Sequence, residues 1–154
     1  MELVSKNNPI LNSVCHPVDF NDLPFDMIEF AHDLVKCMYD SSGIGLSANQ
    51  VGVPYRIFSM RGSPENFVCI NPRVVNPSEE LVYLEEGCLS YPGLVVKIKR
   101  PRHIRVRFNT PNGDTRTETF TGMTARCFLH EMDHMDGEAF YKHATYYHRH
   151  QGLK

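Results

Sequence analysis

The chain has 154 residues, 42% of them apolar and 22% charged, about one domain's worth of length with enough apolar side chain to bury a core. Its 16 basic and 18 acidic residues give a formal net charge of -2. That balance excludes the broad basic surface that phosphate neutralisation needs, so DNA is not an expected partner.

The first stretch, Asn8 to Pro24, holds several prolines and reads as extended or irregular chain. From Asp26 to Ser41, the residues Ile28, Ala31, Leu34, Val35 and Met38 recur at helical spacing. Ser41-Ser42-Gly43 ends that helix, and Gly43-Ile44-Gly45-Leu46 reads as a turn. The middle third switches to strand grammar, with short β-rich runs at 56–60, 67–70, 73–75 and 80–84, continuing at 94–99 and 103–108. In the last of these, Ile104, Val106 and Phe108 alternate with His103, Arg105 and Arg107, which predicts one buried and one wet face. Pro111-Asn112-Gly113-Asp114 turns the chain into a hairpin partner at Thr115 to Phe120. A second helix is expected from about Thr124 to Asp136, stopped by Gly137. Strands in series with helices at either end predict an α+β fold with largely antiparallel sheet, a single domain over 1–154.

On the second helix, Ala125, Phe128, Leu129 and Met132 share one arc and are expected to feed the core. The other arc carries Met123, Arg126, Cys127, His130 and His134. His130-Glu131-Met132-Asp133-His134 is an HExxH sequence, and residues i and i+4 share a helix face, so both imidazoles can reach one ion. Glu131, about 100° round the helix, is suited to meet a metal-bound water rather than the metal. A catalytic metal usually takes three protein ligands, and Cys88 in Glu86-Gly87-Cys88-Leu89-Ser90 is the best offer for the third. The five cysteines are widely spaced, without a CxxC pair, and read as reduced thiols. The segment Gly43 to Gln50 has two readings: a helix cap and turn, or a bare backbone against which a substrate lies, with Gln50 supplying an amide donor.

With these motifs in order, the sequence resembles the peptide deformylase family. Gly43-Ile44-Gly45-Leu46-Ser47-Ala48-Asn49-Gln50 looks like its GxGLAAxQ motif, Glu86-Gly87-Cys88-Leu89-Ser90 matches EGCLS, and Leu129 to His134 looks like QHExDH. The likeness extends to Pro9-Ile10-Leu11 and Ile70-Asn71-Pro72 and covers most of residues 8 to 137. The resemblance implies removal of the formyl group from N-formylmethionine on nascent polypeptides, with release of formate. It implies antiparallel sheets packed around a central, metal-binding HExxH helix. It gives Cys88, His130 and His134 as ligands to Fe2+, with Zn2+, Ni2+ or Co2+ able to occupy the same site. Glu131 becomes the general acid and base, and the Leu89 backbone N–H and the Gln50 amide become the oxyanion donors. Ile44, Gly45 and Gly87 correspond to positions that hold the peptide backbone, and Met123 and Cys127, with His130, are candidates for the methionine pocket.

Three residues depart from the family pattern: Ser47 for alanine, Leu129 for glutamine, and Arg126, which either reaches solvent or pairs with Glu86. After Gly137, Tyr146 to His150 shows no amphipathic helix, which suggests a compact form, of the kind a phage could encode, without the ribosome-docking helix of longer bacterial members. His143, His148 and His150 read as a solvated tail rather than a second metal cluster. No apolar run reaches the roughly 20 residues of a bilayer span, and MELVSKNNPI lacks a signal peptide's apolar middle, so a cytoplasmic location is expected. Two other readings compete, a small HExxH peptidase and a non-catalytic metal module. The peptidase would cut internal peptide bonds with a third ligand other than Cys88. The module has no use for Glu131 and Gln50.

Overall fold

Asp26 accepts a hydrogen bond from the Glu29 N–H and so opens helix α1, Met27–Asp40. The structure, a computed structural model, describes residues 1–143. In chain order α1 is followed by β1 (Gly45–Ser47), β2 (Ile57–Met60), β3 (Phe67–Pro77), β4 (Leu81–Cys88), β5 (Tyr91–Pro101), β6 (His103–Asn109), β7 (Thr115–Thr121) and α2 (Gly122–Met135). Five strands form one antiparallel sheet in the order β1-β2-β3-β6-β7, while β4 and β5 pair only with each other. The α+β class with mostly antiparallel sheet therefore holds.

The expected alternation of β6 is present: Ile104, Val106 and Phe108 are buried, and their neighbours face outward. These three, with Phe58, Met60 and Phe120, meet Ala125, Phe128 and Met135 of α2 in one apolar cluster. Phe58 and Phe128 pack edge to face with ring centroids 5.1 Å apart. A second cluster joins Met27, Leu34 and Met38 of α1 to Leu46, Ile57 and Ile70. Ile28, expected on the apolar face of α1, is 54% exposed, and Met27 is buried instead.

Two local expectations change. The presumed turn at Gly43–Leu46 contains the start of β1, because Gly45 and Leu46 pair with Met60 and Ser59. The separate runs at 67–70 and 73–75 are one strand, β3, bent at Asn71 (φ 51). There the Asn71 side chain accepts from the Val18 N–H and donates to the Val18 carbonyl. The histidine face of α2 packs under the second sheet. Arg126 and His134 are buried on it, because the β4–β5 hairpin covers that side. The opposite arc behaves as expected, with Ala125 and Phe128 fully buried and Leu129 and Met132 packed against the same cluster. The helix stops before Gly137, which has φ 71. Residues from 144 on, with His148 and His150, lie outside the described residues. Among those described, no helix is long and apolar enough to cross a membrane.

Candidate active site

Cys88 is the last residue of β4, and the strand register slips between Gly87 and Cys88, an irregularity of the kind that re-aims a side chain. One turn of α2 separates His130 from His134, and their ring centroids lie 5.1 Å apart. Cys88 Sγ and one nitrogen of each imidazole all lie within 4.8 Å of one another. Cys88 Sγ sits 3.2 Å from His134 Nε2. Glu86 Oε1 lies 3.0 Å from His130 Nδ1, and a donor fixed there leaves Nε2 as the ligating atom of that ring. The end of the helix is also fastened: Asn49 Nδ2 donates to the His134 carbonyl at 2.8 Å, and Arg56 Nη1 to the Met135 carbonyl at 3.1 Å.

Burial pushes His134 down to about 3, with the charge of His130 adding to it, so this ring stays neutral at ordinary pH. Burial would also lower His130, but its bonds to Cys88 and Glu86 outweigh that and carry it up to about 10. Glu131 is 2% exposed, and burial raises its carboxyl to about 7. Its Oε1 is 3.9 Å from His134 Nε2, while its Oε2 has no hydrogen-bond partner among the described residues. A buried carboxylate oxygen without a donor is costly unless something else occupies the site. One thiol and two imidazoles converging beside it form a donor set suited to a divalent transition metal. The residues present fit such an ion.

Around this centre lies a buried ionic network that spacing arguments missed. Glu86 Oε2 accepts from Arg100 Nε at 2.6 Å and Arg126 Nη1 at 2.7 Å, and Glu86 Oε1 from Arg100 Nη2 at 2.8 Å. Arg100 Nη2 also donates to Asp133 Oδ2 at 2.8 Å. Burial would raise the Glu86 carboxyl, but the bonds from Arg100 and His130 hold it down at about 2. Arg126, left between solvent and Glu86 by the sequence, takes the second course and also donates to the Ile98 and Val82 carbonyls. Arg100 carried a legible signal, since it stands in phase with Val96 and Ile98 on the buried side of β5.

Beside the three donors opens a cavity of about 420 Å³ with a mostly apolar lining. Ile44, Gly45, Gly87, Leu89, Met123 and Cys127 line it, together with Gln50, Cys88, His130 and Glu131. Every candidate catalytic, metal-binding and substrate-binding residue thus borders one pocket, except His134, which completes the donor triangle. Gln50 Nε2 donates to Ser90 Oγ at 2.9 Å and lies 3.6 Å from Cys88 Sγ. Ser47, where the family pattern has alanine, donates through its backbone N–H to Gln50 Oε1 at 3.0 Å and through its one hydroxyl proton to Asn49 Oδ1 at 2.6 Å, with Gln50 Oε1 3.0 Å from the same hydroxyl. That arrangement orients the Gln50 amide with its nitrogen toward Cys88. Gly45 has no room for a side chain, since a Cβ there would lie 2.7 Å from Cys127 Sγ and 3.3 Å from the Glu131 carboxylate.

Residues 1–150 match the family model of polypeptide deformylase. A peptide deformylase of Novosphingobium aromaticivorans is 34% identical, the alignment covering 99% of this chain and 93% of that protein. The crystal structure of a peptide deformylase from Synechococcus elongatus in complex with actinonin superposes with a TM-score of 0.90 at 28% identity, over 99% of this chain and 84% of that one. That of the enzyme from the Vibrio parahaemolyticus bacteriophage VP16T, also with actinonin, gives 0.84 at 33% identity, over 91% and 100%.

Proposed function

The chain belongs to the polypeptide deformylase family, and on that premise we propose how its own residues carry out the reaction. It is a metal-dependent hydrolase that removes the N-formyl group from nascent polypeptides. The observation that carries the residue assignment is the convergence of Cys88, His130 and His134 beside a buried, unpartnered Glu131 oxygen.

In this reading, Cys88, His130 and His134 would hold the cation, which would supply Lewis acidity to the site. Fe2+ is the proposed ion, with Zn2+, Ni2+ and Co2+ compatible with the same thiolate and imidazole set. Glu131 takes the proton from water and returns it to the amine leaving group, a role for which a carboxyl raised to about 7 is well matched. Gln50 Nε2 and the Leu89 backbone N–H donate to the oxygen of the formyl group as negative charge builds on it. The peptide lies extended along Ile44 and Gly45 on one side and Gly87 on the other, hydrogen-bonding to backbone as an added strand does. Its methionine side chain enters the apolar pocket lined by Met123, Cys127 and the His130 ring. Arg126 does not spoil that pocket, because its guanidinium is spent on Glu86 and two carbonyls. The chain acts as one catalytic domain, and we assign it to the cytoplasm, where formylated chains are made.

The test is anaerobic purification followed by metal analysis and a formate-release assay with formyl-Met-Ala on the same sample. Formate release in proportion to metal content is expected. Cleavage of an unformylated peptide without formate release would refute the assignment in favour of a peptidase.

A further inference from the structure

We propose that Arg61 is a positioning residue for the substrate-binding backbone, a reading that rests on the deformylase assignment above. The wall of the pocket between the end of α1 and the start of β1 is made by Ser42, Gly43 and Ile44. This segment is loose by composition: Ser42 sits at φ 59, and glycines flank Ile44. A side chain at Gly43 would be crowded, because a Cβ there would lie 2.7 Å from Leu89 Cδ1 and 3.0 Å from the Gly45 carbonyl.

The segment is instead held from behind. The Arg61 N–H donates to the Ile44 carbonyl at 2.9 Å, and Arg61 Nε donates to the Gly43 carbonyl at 2.7 Å. The guanidinium lies over the Tyr39 ring, 4.1 Å from its centroid. Tyr39 in turn donates through its hydroxyl to Asn66 Oδ1 at 2.9 Å, and the same oxygen accepts from the Gly62 N–H at 3.4 Å. Arg61 thus joins the last turn of α1, the residues after β2 and the pocket wall. It has no carboxylate partner among the described residues, so no ion pair accounts for its placement. Nor does it line the pocket or touch the reacting groups.

Fixing a backbone edge before the ligand arrives removes an ordering cost from binding and leaves the chemical step alone. The benefit grows with the length of chain laid along residues 43 to 45. A substrate that is only formyl-Met gains little from it, whereas formyl-Met-Ala-Ser gains more.

The experiment compares the intact metal-loaded protein with Arg61→Ala and Arg61→Lys on those two substrates. For formyl-Met-Ala-Ser, Arg61→Ala is expected to raise KM about 3- to 10-fold with kcat within about twofold, the range left by losing one partly exposed charge-assisted bond. Formyl-Met should be turned over within about twofold of wild type by every variant, and Arg61→Lys, which keeps a donor, should recover part of the KM. Equal losses on both substrates, a fall in kcat alone, or no change on either would overturn the proposal. Amide hydrogen exchange gives a readout independent of turnover. Arg61→Ala should speed exchange across residues 41–46 and leave α2 unchanged, and unaltered exchange there refutes the positioning role even if the wild type released no formate. That last result, by contrast, would refute the deformylase assignment itself.

Discussion

Replacing Glu86 by glutamine keeps the volume of the side chain and removes its charge from a buried site. Arg100 and Arg126 are 6% and 3% exposed, and both depend on this carboxylate. An amide has one acceptor oxygen where the carboxylate has two. It can face His130 and Arg100 Nη2, or Arg126 and Arg100 Nε, but not both pairs. Breaking a buried ion pair from one side costs about 3–5 kcal/mol. The lowering of Glu86 from 4.5 to about 2 gives an independent figure of about 3 kcal/mol, at about 1.4 kcal/mol for each tenfold change in acidity. The folded value lies below the unfolded one, so this stabilisation is present above pH 4.5 and is lost as pH falls toward about 2. Urea unfolding at pH 7 should therefore show Glu86→Gln less stable by about 3 kcal/mol. Its stability should also fall less steeply than that of the wild type between pH 4.5 and about 2. With His130 less firmly oriented, zinc affinity measured by chelator competition should drop about tenfold. Unfolding curves that coincide at pH 7, with unchanged zinc affinity, would refute the view that this carboxylate organises the centre.

Glu131→Gln should retain metal while formate release falls by about 100- to 10,000-fold, the range for a lost general base; metal analysis and turnover on one sample check it. Gly45→Ala would bring a methyl group to 2.7 Å from Cys127 Sγ. It should lower kcat/KM by more than about tenfold, whereas Gly87→Ala, with its nearest atom at 3.5 Å, should be milder in the same steady-state assay. Stripping metal with a chelator should lower the melting temperature of the wild type by several degrees, since an ion at about 1,000 times its dissociation constant contributes about 4 kcal/mol. The same treatment should barely move Cys88→Ser, which lacks the proposed thiolate ligand.

The site was legible in the sequence because its parts are short and local. HExxH needs only helical spacing, and Cys88 needs only a strand end beside a glycine. Strand boundaries at β2, β6 and β7 followed alternation to within a residue or so. What spacing could not reveal was the layer between elements. Asn49 reaches the end of α2 and Arg100 bridges β4 to Asp133, but neither stands near its partner in the chain. Arg126 was left between solvent and Glu86 because a wheel drawn for one helix has no knowledge of a hairpin that arrives from 40 residues earlier to cover it. β1 was hidden for the opposite reason. A strand of three residues between glycines and a 3-10 turn carries no period, and only its pairing with β2 defines it.

The two-stranded unit β4–β5 shares no ladder with the larger sheet. It is riveted to the body through Glu86, Arg100 and Arg126 at the same seam that carries Cys88. Cys88 stands on the hairpin side of that joint, and His130 and His134 stand on α2 across it. Any variant that loosens this joint, as Glu86→Gln does, should therefore lower metal affinity and turnover together, because the three donors stand on its two sides.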